Sequence, residues 1–193
     1  MVKKRFLTGH EEFDLSRKLV RIIYEDKFFP NVVIGIWKGG TPAAITIHDS
    51  FKALARFHGF PEPRYHNAVK VEADGHVEVK NLDPLLAEIQ DHDNVLVVGN
   101  VFHDGTTLDA IIRGVRSNGR TGLDVRDAVQ VYRPLPSVVR RPAYHALETE
   151  AHVVFPYQMD HLTDEEIEEH RPEIAGFLLR EEEIVVPSLP PGK

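Results

Sequence analysis

Two short loops hold the residues whose types and spacing are suited to chemistry. The first, His103-Asp104-Gly105-Thr106-Thr107, follows the apolar run Asn94-Val95-Leu96-Val97-Val98-Gly99-Asn100-Val101-Phe102. It precedes Leu108, Ile111, Ile112 and Val115 at helical spacing. Strand, loop and helix in that order bring unpaired backbone N–H groups and the positive end of a helix dipole to one point, where a phosphate can settle without a charged side chain. The same Gly-Thr-Thr turn is also a plain cap, so the loop alone specifies little. The second loop, Lys38-Gly39-Gly40-Thr41-Pro42, ends the run Asn31-Val32-Val33-Ile34-Gly35-Ile36-Trp37 and sets a cation beside two glycines. His103 adds a group able to pass a proton near neutral pH. Lys38 is a surface lysine in the bland case, and Trp37, the sole tryptophan, reads better as a packing residue than as a ligand contact.

The elements that must position these loops follow from hydrophobic spacing. Phe13, Leu15, Leu19, Ile22 and Ile23 mark an amphipathic helix between His10 and Phe28, stopped by Pro30. The run ending at Trp37 is a strand covered on both faces, and Pro42 suits the first turn of a helix through Ile45, Ile47, Phe51, Leu54 and Ala55 to Gly59. A strand over Arg64 to Val71 leads to a polar hairpin with Asp74-Gly75 at its tip, expected to be mobile. A short helix from Leu82 to Ile89 precedes the opening stretch, and Asp127 to Tyr132 is a further strand. Strands alternating with helices predict an α/β fold, a parallel twisted sheet flanked by helices, with both glycine loops on the rim at the carboxyl ends of the strands.

The last part breaks this rhythm. Pro134, Pro136, Arg140, Arg141 and Pro142 form an irregular basic segment, His152-Val153-Val154-Phe155 a short strand, and Thr163-Asp164-Glu165-Glu166 a capping box that opens a helix toward His170. Residues 134–175 are expected to form a small hood within one domain spanning 1–180, with a tail over 181–193. A formal net charge of −7 disfavours nucleic acid as a partner, and the absence of cysteine removes disulfides and thiolate chemistry. The 11 histidines show no short ligand spacing of a zinc site. No apolar run reaches membrane-spanning length, so a soluble cytoplasmic protein is expected.

Four segments taken together resemble type I phosphoribosyltransferases, nearest to the hypoxanthine/xanthine/guanine branch. They are Gly35 to Pro42, Val95 to Leu108, Val131-Tyr132-Arg133-Pro134 with Arg141 to His145, and Val153-Val154-Phe155-Pro156 with its acidic helix. The resemblance implies a purine base or nucleotide and phosphoribosyl diphosphate, or a related sugar phosphate, as ligands. It implies that Lys38 and Gly39 hold the diphosphate and that Asp104, Gly105, Thr106 and Thr107 cradle the ribose phosphate. Asn100 would face the ribose, Arg133 and Val153 the base edge, and Tyr144 or His152 the base plane. His103 stands where the family keeps the acid that handles the purine's proton.

Two departures are as informative as the matches. Where the family has two adjacent acids that serve ribose and magnesium, this chain has Gly99-Asn100, which weakens the hold on a hard cation. Where the family has a threonine in the phosphate loop, it has Asp104, a negative charge facing a dianion unless the carboxylate turns outward or caps the helix. The pattern fits a purine phosphoribosyltransferase-like enzyme with altered metal or sugar use, or a catalytically impaired nucleotide-binding or sensing protein. A purely structural protein fits less well, since it has no need of two open glycine loops. Dimerisation is common in the family, though no apolar face in the sequence compels it.

Overall fold

The computed structural model describes residues 3–73, 76–134 and 140–179. Asp74 and Gly75, the central part of the basic segment and the tail over 181–193 lie outside them. The chain divides into two compact units, Met1–Pro156 and Tyr157–Lys193.

In the first unit, a six-stranded sheet runs β4-β3-β2-β5-β6-β7 among the described residues. Its strands are β2 (Val32–Trp37), β3 (Arg64–Ala73), β4 (His76–Lys80), β5 (Asn94–Phe102), β6 (Asp124–Tyr132) and β7 (Tyr144–Glu148). All neighbours are parallel except β3 and β4, which form the antiparallel hairpin read from the sequence. Helices α1 (Gly9–Glu25) and α2 (Thr41–His58) cover one face, and α3 (Leu82–Glu88) and α4 (Thr106–Arg116) the other. The central strands are apolar throughout because alternate residues serve opposite cores. Val95 and Val97 of β5 pack toward α4, while Leu96 and Val98 pack toward α1 and α2.

Local chemistry fixes the helix ends. Thr8 caps α1 in a reciprocal box with Glu11: the Glu11 N–H donates to Thr8 Oγ1 at 3.2 Å and the Thr8 N–H to Glu11 Oε2 at 2.8 Å. Pro42 lies in the first turn of α2, and Gly59 closes that helix in the left-handed region at φ 76°. Leu108, Ile111, Ile112 and Val115 are the buried stripe of α4, as their spacing requires.

Two strands escape a reading of the sequence. β1 (Lys4–Phe6) pairs in parallel with β8 (His152–Val154) in a separate two-stranded sheet, and β7 extends the main sheet at its edge. The second unit contains α5 (Asp164–His170), opened by the expected capping box of Thr163 and Glu166, and α6 (Pro172–Leu178).

Candidate functional site

The two glycine loops meet at the carboxyl ends of β2 and β5, as a doubly covered parallel sheet requires. Between them lies a cleft of about 380 Å³, whose lining includes Trp37, Gly39, Asn100, His103, Asp104 and Thr107. The loops can approach because side chains are missing where they touch. A Cβ on Gly39 would strike the Asn100 amide, and one on Gly40 would strike the Val98 carbonyl oxygen. Gly105 sits at φ 80°, and a Cβ there would lie 2.7 Å from Phe102 Cζ. The Trp37–Lys38 peptide is cis.

Asp104 stands one residue before Gly105, the N-cap of α4, and lines the cleft while bonding the loop backbone. Its Oδ1 accepts the Thr106 N–H at 2.9 Å, and this bond is the main cause holding the carboxyl below its ordinary pKa. Asn100 turns its Oδ1 to the Val101 N–H at 2.9 Å. Asn100 and Asp104 supply the only side-chain amide and carboxylate among the cleft's lining residues, and both direct an oxygen to local backbone. That donor set offers a hard cation little, since magnesium is ordinarily held by one or two free carboxylates together with water and substrate phosphates. Among the described residues no group of three or more His, Asp or Glu is placed to hold a metal.

His103 joins the cleft to a basic cluster. Arg133 Nη1 donates to His103 Nε2 at 3.0 Å, and Arg133 Nε donates to the Glu150 carbonyl at 3.1 Å. Because a guanidinium only donates, His103 accepts at Nε2 and carries its proton on Nδ1. The His152 pKa is lowered by partial burial and then by the positive charges of Arg133 and Lys4. Val153 is buried in β8 opposite Arg5 of β1.

The structure thus brings Gly39, Asn100, His103, Asp104, Gly105 and Thr107 into one cleft, with Arg133 and His152 beside His103. Lys38 is exposed on the loop between β2 and α2, and Thr106 is exposed at the start of α4. Tyr144 is not brought to them. It packs in the core under α1, with its hydroxyl donating to Asp26 at 2.7 Å and accepting from Arg126 at 2.6 Å. Trp37, expected to pack, is 57% exposed at the cleft. It is the last residue of β2, where the strand outruns its helices, and that terminal position was the available signal. Arg140 and Arg141 line a second hollow of about 410 Å³. There Arg140 pairs with Asp109 at 2.5 Å and Asp127 at 2.9 Å, and Arg141 pairs with Glu148. Those pairs balance the acids nearby.

No family model and no curated protein matches this sequence. Solved structures do match. A purine phosphoribosyltransferase from Pyrococcus horikoshii Ot3 superposes with a TM-score of 0.66 at 20% identity, covering 83% of this chain and 98% of that one. A hypothetical protein from Neisseria gonorrhoeae with bound ppGpp gives 0.63 at 21% identity, covering 89% and 96%. The xanthine-guanine-hypoxanthine phosphoribosyltransferase of Helicobacter pylori gives 0.63 at 12%, covering 83% and 95%. The fold is that of the type I phosphoribosyltransferases, in the form taken by the purine enzymes.

Proposed function

We propose that this chain is a phosphoribosyltransferase-like glycosyl-transfer protein whose cleft holds a purine and a pentose phosphate, with altered metal and sugar use. The observation that carries the proposal is the single cleft in which the Trp37–Gly40 loop, Asn100, His103 and the start of α4 converge. In this reading, Lys38 and the Gly39 backbone hold the phosphate group leaving C1 of the sugar. The C1–O bond breaks with its electron pair going to that group, the purine nitrogen bonds to C1, and His103 takes the purine's proton on Nε2 after Arg133 releases that nitrogen. Arg133 and the Val153 backbone read the base edge, His152 offers a flat face, and Asn100 meets the ribose hydroxyls. No step is routed through magnesium.

A second reading is favoured by the missing acid pair and by the Neisseria protein with bound ppGpp: a nucleotide-binding or sensing protein with impaired turnover. Both readings require purine binding. Calorimetry with purine bases, nucleosides and nucleotides is expected to show binding that chelation of magnesium leaves little changed. Supplying a base and pentose 1-phosphate donors then separates them. Release of phosphate or diphosphate supports transfer, and binding without release supports the second reading. No binding of any purine compound contradicts both.

A further inference from the structure

The end of the cleft formed by α4 is already neutralised by the chain itself. A helix N-terminus attracts anions through its unpaired N–H groups, yet the Thr106 N–H of α4 is bonded to the Asp104 carboxylate at 2.9 Å. Gly105 holds the loop at φ 80°, a position where a Cβ would strike the buried Phe102 ring. The walls supply no compensation. Lysine and arginine are absent from the lining residues, and the one imidazole, His103, has Nε2 turned to Arg133. Lys38 stands at the other end, on the loop after β2. A phosphate against α4 would meet a fixed negative charge and find a key donor in use, whereas a hydroxyl could donate to the same carboxylate.

We propose that Asp104 sets the specificity of the cleft by excluding phosphate from its α4 end, so that the sugar of the purine ligand presents an uncharged hydroxymethyl group there. The favoured ligand is a nucleoside rather than a nucleoside 5′-phosphate, and the matching donor a pentose phosphorylated at C1 alone. This rests on the purine and sugar reading of the cleft given above.

The test is calorimetric titration of the full chain with guanosine and with guanosine 5′-monophosphate, repeated on Asp104→Asn. Asparagine keeps an oxygen for the Thr106 N–H and removes the charge. The wild type is expected to bind guanosine at least about tenfold more tightly, a gap that narrows as salt rises from about 0.05 to 0.5 M. The variant is expected to gain about tenfold or more for the monophosphate, so that the preference for guanosine narrows or is lost. Equal or tighter binding of the monophosphate by the wild type overturns the inference and leaves the purine reading standing, as does a gap insensitive to salt. A gap that survives in a folded Asn variant does the same. Failure of both ligands to bind overturns the purine reading together with the inference.

Discussion

Gly40 and Asn100 hold the two loops at the distance the cleft needs. A methyl group at Gly40 would press on the Val98 carbonyl, which is backbone on a central strand and cannot swing aside. Gly40→Ala is therefore expected to lower stability by about 1–3 kcal/mol and to weaken purine binding at least about tenfold. Thermal unfolding and titration of the folded variant check the two effects. Gly99 differs: a Cβ there meets only ordinary contacts, the nearest at 3.5 Å from Val129 Cγ1. The backbone thus has room for a side chain at Gly99, and in a folded variant Gly99→Asp with Asn100→Asp should make ligand binding dependent on magnesium, an outcome read by titration with and without EDTA. At this scale the glycine loops were legible, because loop breakers punctuate apolar runs whatever surrounds them. Tyr144 was not. Its placement depends on register: it pairs with Ala128 of β6 and so falls on the α1 face, where Asp26 and Arg126 take its hydroxyl. Burial and the hydrogen bond to Asp26 push that phenol up to about 12. The folded chain then keeps a proton that the unfolded chain loses near pH 10, so stability should fall as pH rises from about 10 to 12. Ultraviolet titration should show Tyr144 ionising late, and burial raises Tyr65 as well.

Where elements meet, burial has consequences that the linear pattern hides. α1 docks on β6 through Glu12, Ser16 and Gln130, all buried, with Gln130 Nε2 donating to the Glu12 carbonyl at 3.1 Å and to Ser16 Oγ at 3.0 Å. Burial raises the pKa of the Glu12 carboxyl. An acid with a raised folded pKa stabilises the fold at low pH and loses that contribution as pH climbs through the folded value. Glu12→Gln, which keeps the shape and removes the ionisation, is expected to stabilise the protein by about 1–2 kcal/mol at pH 8 and by less at pH 5. Equal effects at both pH values in denaturant unfolding would contradict the assignment. The helices with a clean apolar stripe, α1, α2 and α4, could be read from spacing. β1 is three residues long, and β7 exposes alternate residues on an edge, so neither carries enough apolar signal to stand out from a loop. Their partners are distant in sequence, and pairing rather than propensity makes them strands.

Across the whole molecule, the end of the sheet opposite the cleft is closed by Asp93. Its carboxylate accepts from Asn31 Nδ2 at 2.7 Å, Arg64 Nη2 at 2.6 Å and the Gln90 N–H at 2.7 Å, tying together the starts of β2, β3 and β5. Asp93→Ala is expected to cost about 2–4 kcal/mol without changing ligand affinity in the folded fraction, which separates the frame from the site. Acid should act across the molecule through His66, His145 and His152. Partial burial is the main cause lowering the pKa of each from 6.5. Below that value the unfolded chain binds protons more readily than the folded one, so stability should decline as pH falls from 6.5. The parallel sheet and the shared rim were implied by alternating strands and helices, since parallel strands with right-handed crossovers leave their carboxyl ends together. The bond from the Thr106 N–H to Asp104 needed coordinates, because an aspartate before a helix can face either the helix or its ligand. The proposed function stands or falls on whether this rim binds a purine without help from magnesium. Calorimetric titration of the full chain with purine bases, nucleosides and nucleotides in EDTA decides it. Saturable binding that Gly40→Ala weakens is expected, and the absence of binding by every purine compound overturns the proposed function.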